Sequence, residues 1–133
     1  MIGVKYETLR DPAFLTALQK MAAFSKPEPT LVKKLFKLYK CISEEIKVMN
    51  KLYQSALDEC AERDDHGNMK PMEDVKGGIK INPAMAMQWD EMAKKIAATE
   101  VTLECEGIGF NEAVSKLGLT PQELVAVEPL LIQ

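Results

Sequence analysis

Apolar side chains recur at helical spacing through one long uninterrupted stretch, and the rest of the chain is organised around it. From Thr30 to about Arg63 the sequence reads TLVKKLFKLYKCISEEIKVMNKLYQSALDECAER, with neither Gly nor Pro inside it. Leu31, Leu35, Leu38, Ile42, Ile46, Met49, Tyr53, Ala56 and Cys60 follow at spacings of 4, 3, 4, 4, 3, 4, 3 and 4, the period of one helix face. Phe36, Tyr39, Leu52 and Leu57 widen that stripe, and the consecutive fours at Ile42 break a strict heptad. The pattern predicts a helix over 30–63 with a broad buried face, packed on its own chain rather than zipped to one partner. At ~1.5 Å per residue it is roughly 50 Å long, more than a domain of this size needs for its own core. Part of it is therefore expected to project or to meet another surface.

Shorter elements flank this helix. Ile2, Val4 and Tyr6 alternate with Gly3 and Lys5, a short-strand pattern. Asp11-Pro12 supplies an N-cap and a proline at the first helical position, and Phe14, Leu15, Leu18, Met21 and Ala22 give one apolar face of a helix over 12–24. Pro27 and Pro29 then turn the chain into the long helix. The stretch 64–82 changes composition and reads as an exposed connection, with Gly77-Gly78 forming either a small hairpin or a plain loop. Asn82-Pro83 opens a helix over 83–98, whose Met85, Trp89, Met92 and Ile96 share a face with small alanines. If the connection folds back, this helix lies antiparallel to the long one and covers about half of it.

Val101, Leu103 and Cys105 alternate with polar residues and predict a strand over 101–106, pairing either with residues 2–6 or with 79–81. Short helices over 111–127 follow, the second opened by the capping box Thr120-Pro121-Gln122-Glu123. The tail Leu130-Leu131-Ile132 is apolar, and it docks on the chain's own core or anchors a neighbouring subunit. The expected architecture is mainly α, in one domain over 1–133. It is an antiparallel helical hairpin built on the long helix, with an N-terminal helix and a small β element near the C-terminal third.

Charge divides the long helix. Its polar face carries Lys33, Lys37, Lys40, Glu44, Lys47 and Lys51. From Thr30 to Lys51 six lysines stand against two glutamates, net +4, whereas from Leu52 to Asp65 five acids stand against Arg63, net −4. This order opposes the helix macrodipole. It reads either as a solvated face with local pairs such as Lys40–Glu44, or as a surface that meets an acidic partner or a second such helix running the other way.

Composition narrows the function classes. The 133 residues are enough for a modest core without staples. A net charge of −3 argues against bulk nucleic-acid binding while leaving the lysine face as a local patch. No apolar run is long enough to span a membrane, and the start MIGVKYETLRD lacks a signal-peptide layout. The three cysteines, Cys41, Cys60 and Cys105, have no CxxC spacing and read as reduced residues in a cytosolic setting. His66 is the single histidine, so a Ser-His-Asp or Cys-His mechanism would have to pass through a loop residue. The cluster Asp64, Asp65, His66, Asn68 fails the calcium-loop pattern, because Met69 and Val75 stand where a Gly and an acid are needed. Adjacent acids at Glu44-Glu45 and Asp58-Glu59 diverge around a helix, and the glycine pairs lack the context of a phosphate loop. No cofactor, metal or catalytic residue is assigned.

In order, LTALQKMAAFSKPEPTLVKKLFKLYKCISEEI, the turn from Asp64 to Gly67, TEVTLECEGI and LGLTPQELVAVEPLLI form a layout that resembles a loose class of small phage-encoded helical proteins. The resemblance spans nearly the whole chain through its hydrophobic pattern, and it supplies no catalytic residues. It implies a phage protein in the host cytoplasm during infection, with its retention in the virion left open. The overlong helix, its divided charge and the apolar tail point to a non-enzymatic, virion-associated structural or assembly component acting through protein–protein contacts or self-association. A soluble phage regulator, either an assembly chaperone or an inhibitor of a host protein, is the alternative. The expected contact residues are Lys33, Lys37, Lys40, Lys47 and Lys51 on the basic face, with Leu130, Leu131 and Ile132 as an anchor.

Overall fold

The computed structural model describes residues 2–72 and 78–132, and the chain is mainly helical with small strand elements. It forms two compact units, Met1–Lys47 with Thr99–Gln133 and, inserted between those segments, Val48–Ala98.

In the first unit, strand β1 (Ile2–Lys5) pairs antiparallel with β2 (Glu100–Leu103), setting Ile2 opposite Leu103 and Val4 opposite Val101. The alternation at the N-terminus is thus a strand. Ile2 and Val4 point into the core while Gly3 and Lys5 face out. Of the two pairings open to the 101–106 segment, the one with the first residues forms. The strand stops at Leu103 rather than residue 106 because the backbone bends at Glu104-Cys105. A turn of helix, α1 (Tyr6–Leu9), leads to α2 (Pro12–Ala22). The Asp11 carboxylate accepts the Ala13 N–H at 3.0 Å, the cap that Asp-Pro predicts. Phe14, Leu18 and Met21 bury the inner face of α2.

After α5 (Phe110–Ser115), Gly118 takes φ +65°, a left-handed turn that a side chain would strain. Helix α6 (Pro121–Ala126) starts with a complete capping box: Thr120 N–H donates to Glu123 Oε1 at 2.9 Å, and Glu123 N–H to Thr120 Oγ1 at 3.3 Å. Lys20 ties α2 to this end of the unit, donating to Gly118 O at 3.0 Å and to Glu123 Oε1 at 2.8 Å. That hydrogen bond from Lys20 is the first reason the Glu123 carboxyl is held below its ordinary value. The tail then forms β4 (Leu131–Ile132), parallel to β3 (Ile108–Gly109). Gly107 makes this possible, since a Cβ there would lie 2.6 Å from the Leu130 carbonyl oxygen.

Helix α3 (Pro29–Cys60) runs for 32 residues, ~48 Å, and crosses from the first unit into the second. Its buried side chains are Leu31, Leu35, Leu38, Ile42, Met49, Ala56 and Cys60, with Ile46 and Tyr53 half-buried between them. The widening residues behave otherwise. Phe36, Tyr39 and Leu52 are exposed and Leu57 is half-buried. The buried face is therefore narrow rather than broad, a single stripe along α3.

In the second unit α3 ends at Cys60, not Arg63, because residues 61–63 are drawn into backbone pairing. Bridges join Ala61 to Ile81, Arg63 to Met69 and Pro71 to Ile79. At their centre Glu62 N–H donates to Lys80 O, Lys80 N–H to Lys70 O and Lys70 N–H to Glu62 O, each at 2.8 Å, a closed cycle. The Glu62 side chain also meets Lys80 at 3.2 Å and Lys70 at 3.4 Å, and the Lys80 contact leads in holding its carboxyl below the ordinary value. The expected open connection is thus a small antiparallel array. Val75 and the Gly77 side of the Gly77-Gly78 turn lie outside the described residues. Asn82 N–H donates to Cys60 O at 2.8 Å, so α3 ends where the next helical segment begins. That segment is a 3₁₀ turn (Pro83–Met85) capped by the Asn82 side chain, followed by α4 (Ala86–Ala98). Met85, Trp89, Met92 and Ile96 share the inward face as predicted, but each is half-buried and α4 contributes no fully buried residue.

Candidate interaction surface on the long helix

The first half of α3 presents two exposed surfaces side by side. At ~100° per residue, Lys33, Lys37, Lys40 and Lys47 share one line along the helix, and Val32, Phe36 and Tyr39 form a second line beside it. The lysine line lies opposite the buried face at Leu31, Leu35 and Leu38, and the apolar line borders that face at Leu35.

The apolar line belongs to a groove of about 290 Å³ between the end of α2 and α3, walled by Ala22, Phe24, Val32, Leu35, Phe36 and Tyr39. Phe36 is 65% exposed, Tyr39 44% and Val32 40%. Large apolar side chains lie exposed here because α2 ends at Ala22 and the chain turns away through Pro27 and Pro29. Among the described residues, nothing covers Val32, Phe36 and Tyr39 on this side of α3. The groove's lining carries one polar side-chain atom, the Tyr39 hydroxyl.

On the other flank, Thr30, Lys33, Lys34 and Lys37 border an open basin of about 730 Å³ whose far side is Glu104, Cys105 and Glu106. Lys34 is committed to Glu112 at 3.7 Å. Lys33, Lys37, Lys40 and Lys47 are exposed, and no ion pair engages them among the described residues. The Lys40–Glu44 pair expected from the spacing does not form. Glu45, by contrast, turns inward and accepts the Tyr6 hydroxyl at 3.1 Å. Burial first, and then that carboxylate, raises the Tyr6 phenol above its ordinary value. At the basin's edge, burial pushes the Cys105 thiol up to about 11, and the neighbouring Cys41 thiol adds to the shift.

Of the residues nominated from the sequence, Lys33 and Lys37 come together at the basin, and Lys40 and Lys47 continue the same face. Lys51 is exposed and belongs to the second unit. The tail divides. Leu130 is fully buried in its own unit, Leu131 is half-buried in the parallel ladder opposite Ile108, and Ile132 is 53% exposed. Leu130 therefore serves the chain's own core and is not an anchor for a neighbour. The groove residues Phe24, Val32, Phe36 and Tyr39 were not singled out as contacts. Their signal was the 4, 3 spacing of Val32, Phe36 and Tyr39, a second apolar stripe offset from the first.

The Asp64 carboxylate is taken up by the N–H groups of His66 at 2.9 Å and Asn68 at 3.0 Å, a turn with Gly67 at φ +81°. No group of three or more metal-ligating side chains converges among the described residues. Among the same residues, no helix is long and apolar enough to cross a membrane. No family model matches the chain, and neither a curated protein nor a solved structure matches it.

Proposed function

We propose that this chain is a non-enzymatic interaction protein that works by presenting the first half of α3 to another protein. The observation that carries the reading is the pairing of an exposed apolar groove with an adjoining row of four lysines that no acid among the described residues engages. Contiguous exposed apolar surface beside a polar rim is the usual make-up of a protein-binding face. Within the phage class that the sequence pattern resembles, this is the part of a structural or assembly component.

Affinity capture from the cells that produce the protein tests this reading. The wild-type chain is compared with Phe36→Asp and with the triple reversal Lys33→Glu, Lys37→Glu, Lys40→Glu. A discrete set of proteins should be retained by the wild type and fall about tenfold or more with either variant, equivalent to ~1.4 kcal/mol. The same set held equally by all three proteins would overturn the reading.

A further inference from the structure

We infer that the groove and lysine row together receive an acidic amphipathic helix of a different protein, an inference that rests on the interaction reading above. The shape of the surface sets the form of the partner. A groove along α3 closed on one side by the end of α2, walled by Ala22, Phe24, Val32, Leu35, Phe36 and Tyr39, accepts apolar side chains spaced i, i+3/i+4, i+7 on an incoming helix. The row of four lysines stands on the α3 side of the groove and runs from Lys33 to Lys47, ~21 Å of helix. A partner helix lying along α3 thus places its acids on a single flank, next to its apolar stripe. That is the charge complement of this surface, and it fixes both register and direction.

Two other occupants fit less well. A nucleic acid would satisfy the lysines, but the groove has a single side-chain polar atom with which to read or hold a base, and the chain as a whole carries net −3. A second copy would have to offer exposed apolar side chains with acids beside them. On α3 the remaining exposed apolar pair is Val48 and Leu52, and these are bordered by Lys47 and Lys51, which would face the lysine row with like charge.

The test uses two synthetic helical peptides of about sixteen residues, sharing one leucine stripe and differing only in Glu or Lys along one flank, with a single-stranded oligonucleotide as the third probe. Binding to the full chain is read by fluorescence anisotropy and mapped by NMR shift perturbation. The Glu peptide should bind about tenfold or more tightly than its Lys twin, weaken as salt is added and perturb Phe24, Phe36 and Tyr39. Phe36→Asp should abolish that binding with an unchanged circular dichroism spectrum, since Phe36 lies on the surface. The triple lysine reversal should transfer the preference to the Lys peptide. Equal binding of both peptides, failure of the Glu peptide to bind, or oligonucleotide binding that matches it and survives Phe36→Asp would each overturn the inference. So would a concentration-dependent dimer, seen by light scattering, that Phe36→Asp dissolves. If the peptide fails while cellular capture still depends on Phe36, the partner class falls and the interaction reading stands. If capture is indifferent to Phe36, the interaction reading itself falls.

Discussion

Leu130 and Ile132 stand two residues apart in an apolar tail and have opposite fates. Leu130 is fully enclosed, whereas Ile132 leaves half its side chain in water. Truncating Leu130 to Ala should lower unfolding free energy by about 2–5 kcal/mol, because the chain around it relaxes only partly into the cavity. Ile132→Ala should change it by roughly 0.5 kcal/mol or less. Denaturant midpoints of the two variants decide the matter; equal losses would mean that the tail does not dock as described. A second residue-scale prediction concerns Cys105. With its thiol raised to about 11 by burial and by Cys41, little of it is thiolate at pH 8. Its alkylation there, followed by mass spectrometry, should be slower than that of a small free thiol, and should accelerate as pH climbs toward 11. A rate equal to the free thiol's at pH 8 would show that burial does not protect it.

Among elements, what could be read from the sequence was what local chemistry dictates. Asp11-Pro12, Asn82-Pro83 and the Thr120–Glu123 box each open a helical segment where expected, because a cap needs only its own side chain and the next few N–H groups. The α3 stripe was legible for the same reason, since its period is a property of the helix alone. Its breadth was not. Whether Phe36 and Tyr39 are covered depends on how far α2 extends, and α2 stops two residues short of the predicted residue 24. The end of α3 was misplaced likewise: nothing local stops a helix at Cys60, and the stop comes from the pairing of residues 61–63 with 69–70 and 80–81. The lysine half of the candidate surface was visible as a periodic row, while its apolar half looked like core.

At the scale of the whole molecule, burial is unequal. The first unit encloses Phe14, Met21, Leu38, Ile42, Leu103, Ile108 and Leu130, whereas the second encloses Met49, Ala56, Cys60 and Ala61, with nothing from α4. Local opening follows buried apolar contact. Hydrogen exchange should therefore find the α4 amides less protected than those of α2, with Met92 and Ile96 reporting against Phe14 and Leu18. Equal protection would mean that α4 gains support the burial pattern does not reveal. The crossing between the units at Lys47 and Val48 has no sequence mark, because both residues sit in mid-helix with no glycine or proline near them, whereas the crossing after Ala98 falls at the predicted end of α4.

The pairing of Ile2 with Leu103 also sets a timetable for synthesis. At ~5–20 residues per second, β1 is made roughly 5–20 s before its partner strand. The inserted segment from Val48 to Ala98 is contiguous and has all its own contacts available before Thr99 appears. Ile2 and Val4 have no strand beside them in that interval. The nascent chain thus carries a completed insert while the strand made ahead of it still waits for its partner, its apolar residues in need of shelter.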